Sequence, residues 1–245
     1  MNQVIRLLQS HRSIRKFTGQ KIEQAVVDEL VRAGQAAPTS SFIQACTVMQ
    51  VNDKDNREKL AEYAGNQAYV VEAPVFLVFC ADMARHRLVC RMQQTEMLSG
   101  YTAQFVTATV DCALFAQNVL TSAESLGLGG VLIGGIRNQI EQVADLLELP
   151  ELVYPVFGLC LGYPDQNPEV KPRLPLSVVL KQDRYDDSGN QEVISEYDRE
   201  VETYYRTRSG GTKEMTWSQQ MAGLLRKESR PHMLGFLQKK GFLLK

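Results

Sequence analysis

Pro74–Ala81 reads PVFLVFCA, eight residues that are β-rich and apolar throughout. A strand with one face in water alternates apolar and polar side chains. This one does not, so it predicts a strand buried on both faces. Val153–Leu161 is a second apolar strand, Thr47–Val51 a third, and Val131–Ile133 a Gly-punctuated fourth followed by a turn at Gly134-Gly135. The helical period fills the gaps. Val4, Ile5, Leu7 and Leu8 share a face before His11, and Val26, Val27, Leu30 and Val31 do so within Gln24–Ala37, which Pro38 ends. Val106, Val110, Ala113, Ala116 and Leu120 are spaced for a long helix that Gly127 and Gly129 end. Its surroundings hold few charges, so it is predicted to be central and buried on most sides. Asn138, with Glu141 three residues on, predicts the capped start of a helix through Ile140, Val143, Leu146 and Leu147 to Pro150.

Beyond Pro164 the texture changes. Prolines at 164, 168, 172 and 175 predict an irregular connection. Helical pieces follow at Glu192–Tyr205, Thr216–Glu228 and Met233–Lys240, with too little apolar content for a second core. The chain therefore divides into a core at 1–163 and, at 164–245, an extension that packs on the core or on a partner chain.

Composition narrows the class. With 44% hydrophobic and 22% charged residues in 245, the chain is neither disordered nor collagen-like nor a Cys-dense secreted scaffold. Its formal charge is −1, which argues against a general nucleic-acid coat or a membrane-surface protein. The sum conceals a split. Residues 204–245 carry nine basic and two acidic side chains, whereas residues 1–203 carry 18 and 26. No apolar run approaches the roughly 18 residues of a spanning helix, and MNQVIRLLQSHR has no signal-peptide core. Five cysteines without a C-x-x-C pair complete the expectation of a reduced, cytoplasmic protein, neither membrane-bound nor nucleic-acid-binding.

Common catalytic signatures fail. Gly127–Leu132 does not complete G-x-G-x-x-G, there is no P-loop and no G-x-S-x-G, and three isolated His give no metal spacing. Anion chemistry remains. His11-Arg12-Ser13-Ile14-Arg15-Lys16 groups cations and a hydroxyl at a helix end, where guanidinium forks suit phosphate and a solvated basic face is the plainer reading. Lys171-Pro172-Arg173 is a second basic pair, stiffened by prolines. Thr39-Ser40-Ser41 offers hydroxyls, Gly65-Asn66-Gln67 a turn with an amide, and Gly134-Gly135 a backbone that approaches a flat ring closely. Each is weak singly.

Together, HRSIRKF, APTSSFIQA, GNQAYV, AESLGLGGVLIGGIRN, FGLCLGYPDQNPEVKPRLP and TWS…KESRPHML, in that order, resemble the oxygen-insensitive NADPH nitroreductases and NADPH–flavin oxidoreductases, the larger-chain branch of the nitroreductase-like flavoproteins. The resemblance implies an α+β fold, a central, mostly antiparallel sheet wrapped by helices, in an intertwined homodimer. It implies one FMN per subunit in a cleft at the dimer interface. His11, Arg12, Ser13 and Arg15 match the motif for the FMN phosphate and one edge of the ring. Thr39, Ser40 and Ser41 match the hydroxyl-rich loop, and Gln67 with Tyr69 the position near the redox-active nitrogen. Leu132, Ile133, Gly134 and Gly135 match the stretch against the ring, and Lys171 with Arg173 the completing basic pair. Arg208, Lys213, Lys227, Ser229 and Arg230 match basic-tail positions associated with NADPH, although relatives carry Arg where Lys213 stands. No single residue is nominated as acid, base or nucleophile, because the cofactor carries the chemistry.

The activity implied is two-electron, ping-pong reduction of small-molecule acceptors, nitroaromatics, quinones or free flavins, by NADPH. A dedicated flavin reductase supplying a partner enzyme is the alternative. A non-redox module whose basic tail grips nucleic acid or an acidic partner is a third reading, disfavoured because Trp217, Leu224, Leu225 and Leu234 interleave with the tail's charges.

Overall fold

The computed structural model describes residues 2–208 and 214–245. In chain order they form α1 (Gln3–Gln9), α2 (Gln24–Gln35), β1 (Cys46–Gln50), α3 (Lys54–Tyr63), α4 (Tyr69–Glu72), β2 (Val75–Asp82), α5 (Ala84–Met92) and α6 (Thr102–Ser125). Then come β3 (Gly129–Ile133), α7 (Ile140–Leu146), β4 (Val153–Gly162), α8 (Leu176–Val179), α9 (Asn190–Thr207), α10 (Trp217–Leu225) and α11 (Met233–Lys239). Single 3-10 turns occupy Ser40–Phe42 and Gly134–Arg137. Among the described residues no helix is long and apolar enough to cross a membrane.

The four strands form one antiparallel sheet in the order β1-β2-β4-β3. The run at 74–81 is a central strand, and its alternation shows why it has no polar face. Val75, Leu77 and Phe79 join α2 and α6 in one core, while Phe76, Val78 and Cys80 join residues of α3 and α7 in another. A fully buried side chain of this size contributes roughly 1.5–3 kcal/mol. Pro155 in central β4 is tolerated because the register shifts there: Phe79 pairs Phe157 and Cys80 pairs Pro155, a bulge where a missing N–H costs little.

The chain separates into two compact units, 1–167 with 230–245, and 168–229. The last sixteen residues thus return to the first unit. There Phe242 meets Tyr154 edge-on at 4.9 Å, and Leu244 and Lys245 donate backbone N–H groups to Gly100 O. The second unit holds a small aromatic core that its composition did not promise: Tyr197, Val201 and Tyr205 are buried, with Leu174, Tyr204 and Trp217 against them. Tyrosine and tryptophan supply the area that aliphatic residues do not.

Two further expectations are corrected. The long helix is not buried on most sides in one chain. Its inward face is Ala108, Asp111, Cys112, Ala116, Val119, Leu120 and Ala123, while Val106, Val110 and Leu114 are 51%, 47% and 38% exposed. Asn138 does not cap α7; Gln139 stands at that position. The Asn138 side chain instead donates to Ala64 O and accepts from Arg230 Nε, at 3.4 and 2.9 Å, because Asn138 closes the Gly134–Arg137 turn one residue before the cap position.

Candidate functional site

The basic segment after α1 is held by backbone bonds along the open end of the sheet. Ile14 N donates to Gly130 O at 2.9 Å, Thr18 N to Tyr163 O, and Asp165 N to Lys16 O. Ile14 is buried, and a Cβ on Gly129 would lie 2.5 Å from Ile14 Cγ1, so glycine is required for the segment to lie this close. Around this anchor, Arg12 and Arg15 are exposed, and Arg15 N donates to Gln166 Oε1 at 3.1 Å. His11 Nδ1 lies 2.6 Å from Glu124 Oε1 on α6. Arg12, Ser10, Glu124 and Gln166 line a cleft of about 220 Å³.

Strand β3 leads from this segment to the amide. Gly130 O faces its outer edge, so by alternation the backbone N–H and C=O of Leu132 face the same edge, and the Leu132 side chain is exposed while Ile133 is buried. The strand then turns at Gly134-Gly135. A Cβ on Gly135 would sit 2.4 Å from both Ala64 O and Gln67 Nε2. Gln67 Nε2 donates to Ala64 O and its Oε1 accepts from Tyr69 OH, each at 2.6 Å. One N–H and one lone pair of that amide remain for a ligand. Three residues of strand, about 10 Å, separate Gly130 from Ile133, and the turn that carries Gly135 follows directly.

Thr39–Ser41 lies elsewhere. It precedes β1, at the far edge of the sheet from β3, and Cys46 aligns through Ala81 with Tyr154, at the opposite end of β4 from Leu161, the partner of Gly130. Three inter-strand steps place the loop about 14 Å across the sheet, with about 20 Å along it besides. The loop is tightly built. Ser41, Phe42 and Gln44 have φ of 48°, 58° and 56°, a sparsely populated conformation for residues with side chains. Asp111, 1% exposed, accepts from Ser40 N and Ala45 N at 3.3 and 3.0 Å. His86 Nε2 donates to Ile43 O at 2.7 Å and Arg85 to Gln44 O at 3.1 Å. Thr39 Oγ1 is buried without a partner among the described residues, beside a cavity of about 140 Å³ that Asp111, Arg85 and Phe115 also line.

In the second unit, Lys171 and Arg173 are set by α9. Tyr197 OH donates to Pro172 O at 3.0 Å, and Arg173 Nη1 to Lys171 O at 2.9 Å. Lys171 Nζ stands 5.1 Å from the Tyr205 ring centroid, and Arg208 Cζ 5.0 Å from the same centroid. Lys227 and Ser229 are exposed, and Lys213 lies outside the described residues. Arg230 belongs to the first unit, on Asn138.

The profile of the nitroreductase family matches residues 8–163, and that of its C-terminal domain residues 171–245. The chain belongs to the nitroreductase family. The NADPH-flavin oxidoreductase of Vibrio harveyi is 46% identical over 241 residues, 98% of each chain, and the oxygen-insensitive NADPH nitroreductase of Salmonella typhimurium 43% over 242 residues, 99% of each. The solved structure of the Vibrio harveyi NADPH:FMN oxidoreductase complexed with NAD+ superposes with a TM-score of 0.92 at 44% identity, covering 100% of both chains.

Within this nitroreductase fold, one chain brings together His11, Arg12, Ser13 and Arg15 at one end of β3, and Gln67, Tyr69, Gly134 and Gly135 at the other, with Leu132 and Ile133 between. It does not bring Thr39–Ser41 to them. Sequence reasoning missed Asp111, His86 and Arg85, which build that loop, and Glu124, which holds His11. Asp111 had a signal: it is the one charge between Glu96 and Glu124.

Proposed function

We propose that the chain is an FMN-dependent NADPH oxidoreductase, a cytoplasmic homodimer that reduces nitroaromatics, quinones or free flavins by ping-pong transfer. The observation that carries this is β3, an open strand edge with guanidinium groups at one end and, after about 10 Å of strand, an amide-bearing turn at the other. FMN fits that donor set: a dianionic phosphate for the cations, and a ring whose pyrimidine edge alternates donors and acceptors as a strand edge does. Bound FMN would supply the two-electron redox chemistry.

The residues bind, orient and tune. Arg12, Ser13 and Arg15, with Lys171 and Arg173 as the motif implies, take the phosphate and the pyrimidine edge, where cations favour negative charge. His11, tied to Glu124, keeps its other ring nitrogen for the same edge. Leu132 gives the ring an apolar surface, and Gln67, fixed by Tyr69, presents its remaining N–H. Arg208, Lys227, Ser229 and Arg230, with Lys213, are assigned to the 2′-phosphate of NADPH, as the resemblance implies.

Two observations support the homodimer. The hydroxyl loop Thr39–Ser41 lies too far from β3 of its own chain to meet the same small molecule, so a second chain supplies it. The outward stripe Val106, Val110 and Leu114 of α6 leaves an apolar face uncovered in one chain. All five cysteines are free thiols, which supports a reducing compartment.

Purification tests the reading: a yellow, dimeric protein is expected, bleached by NADPH without oxygen. A colourless protein that gains no activity with added FMN overturns it. Comparing kcat/KM for free FMN with that for nitrofurans and quinones separates flavin supply from nitro or quinone reduction.

A further inference from the structure

Tyr205 occupies the last turn of α9, 4% exposed, in the aromatic core of the second unit. Its hydroxyl donates to Gln220 Oε1 on α10 at 3.2 Å, which fixes the ring from its far end. Tyr204 and Tyr205 meet edge-on with centroids 5.4 Å apart, and Arg208 Cζ lies 6.0 Å from the first ring and 5.0 Å from the second. Local backbone geometry explains the corner. Arg208 N donates to Tyr204 O at 3.0 Å, and with φ −62° and ψ 148° the residue leaves the helix, so its side chain falls back over the last turn.

Arg208 Nε is buried there and meets no acceptor among the described residues. Among the described residues no carboxylate pairs with Arg208 or with Lys171, which stands on the same Tyr205 ring. The two cations are therefore no more than about 10 Å apart, without an anion of their own. A carboxylate would hold Arg208 in place and also neutralise it. An aromatic face holds it by its quadrupole and leaves the positive charge for an incoming anion.

We propose that Tyr205 is a positioning residue for coenzyme choice: its ring holds the Arg208 guanidinium for the 2′-phosphate that distinguishes NADPH from NADH. The inference rests on the assignment of Arg208 to that phosphate. Losing the ring frees a long side chain, and the lost ordering appears only with the phosphorylated coenzyme.

The experiment is calorimetric titration of NADP+ and NAD+ into FMN-saturated protein. Tyr205→Phe keeps the ring and is expected to keep the wild-type NADP+/NAD+ affinity ratio. Tyr205→Leu is expected to weaken NADP+ about fivefold, in the range that one cation–π contact supplies, with NAD+ changed less than about twofold. Because Leu also alters a buried core, Tyr205→pentafluorophenylalanine, which keeps the shape and reverses the ring's quadrupole, is the second variant and is expected to show the same selective loss at unchanged Tm. Equal losses for both coenzymes with Leu, or an unchanged ratio with the fluorinated ring, overturn the proposal. Arg208→Ala separates it from its premise: a lost ratio there upholds the 2′-phosphate assignment, and an intact ratio there removes that assignment and the role of Tyr205 with it.

Discussion

Gly135 shows how one residue joins packing to site. A methyl group there meets a backbone oxygen and the Gln67 amide at 2.4 Å, and backbone cannot rotate away. Gly135→Ala is expected to destabilise the fold by about 1–3 kcal/mol and to displace Gln67. The checks are thermal melting and FMN retained on gel filtration; an unchanged Tm with full retention would show that the turn yields freely. The sequence marked this glycine for closeness to a ring, whereas the contact that demands it is within the chain. The buried thiols were readable for the opposite reason, since Cys80, Cys112 and Cys160 lie in apolar runs and need only burial. Burial pushes all three up, Cys160 to about 12. Below about pH 9 both folded and unfolded chains keep these protons and the fold keeps its full stability. Above it the unfolded chain ionises first, so stability falls as pH rises towards the folded values. Native protein at pH 8 is expected to expose only half-buried Cys46 and Cys90 to a thiol reagent, with all five reacting after denaturation. More than two fast thiols in the native state would contradict this burial.

At the scale of elements, the strands were legible because an apolar run without alternation has few alternatives, and each predicted strand appears within a residue or two of its place. Helices α3 and α5 were not legible. KDNREKLAEY buries only Leu60 and Ala61, and ARHRLVCRM buries nothing fully, so neither shows an apolar period. In α6 the period was visible, yet the face was misjudged, because Val106 and Val110 are as apolar as the inward positions and Asp111 sits among the latter. An apolar residue turned outward is invisible as such until a second surface is considered. If two chains meet on this face, Val110→Glu is expected to leave the single chain folded, since the position is half open, and to dissociate the dimer in sedimentation experiments. FMN retention falls with it, because Thr39–Ser41 then no longer reaches the cations of the other chain. A monomeric Val110→Glu protein that holds FMN at wild-type affinity would refute the two-chain site.

For the whole molecule, the basic tail is two populations. Arg230, Lys239, Lys240 and Lys245 belong to the first unit, and the three lysines are used there as fasteners. Arg230 reaches Asn138, Lys239 pairs with Glu141 at 2.9 Å, Lys240 donates to the Leu149 and Pro150 carbonyls after α7, and Lys245 lies 5.1 Å from the Tyr101 ring. Arg206, Arg208, Arg226 and Lys227 belong to the second unit, where Arg208 has no anion among the described residues. A count of charges does not separate the groups, since partners distant in sequence, such as Glu141 and Leu149, decide which cations are already committed. The two populations are expected to respond differently. Lys240→Met removes donors to two carbonyls and lowers Tm, through a stability loss of about 1–2 kcal/mol for a bond to a charged group shared with water, while the NADPH/NADH ratio of kcat/KM stays at the wild-type value. Arg208→Ala leaves Tm within a degree or two and lowers that ratio about tenfold or more, as a lost charge-assisted phosphate contact of roughly 1.5–3 kcal/mol requires. Salt sharpens the contrast: between 20 and about 200 mM the screening length falls from roughly 20 to 7 Å, so KM for NADPH rises more steeply than KM for NADH in the wild type and in Lys240→Met. In Arg208→Ala the two slopes converge, because the charge that read the additional phosphate is gone; slopes that stay apart would place the phosphate on another cation of the tail.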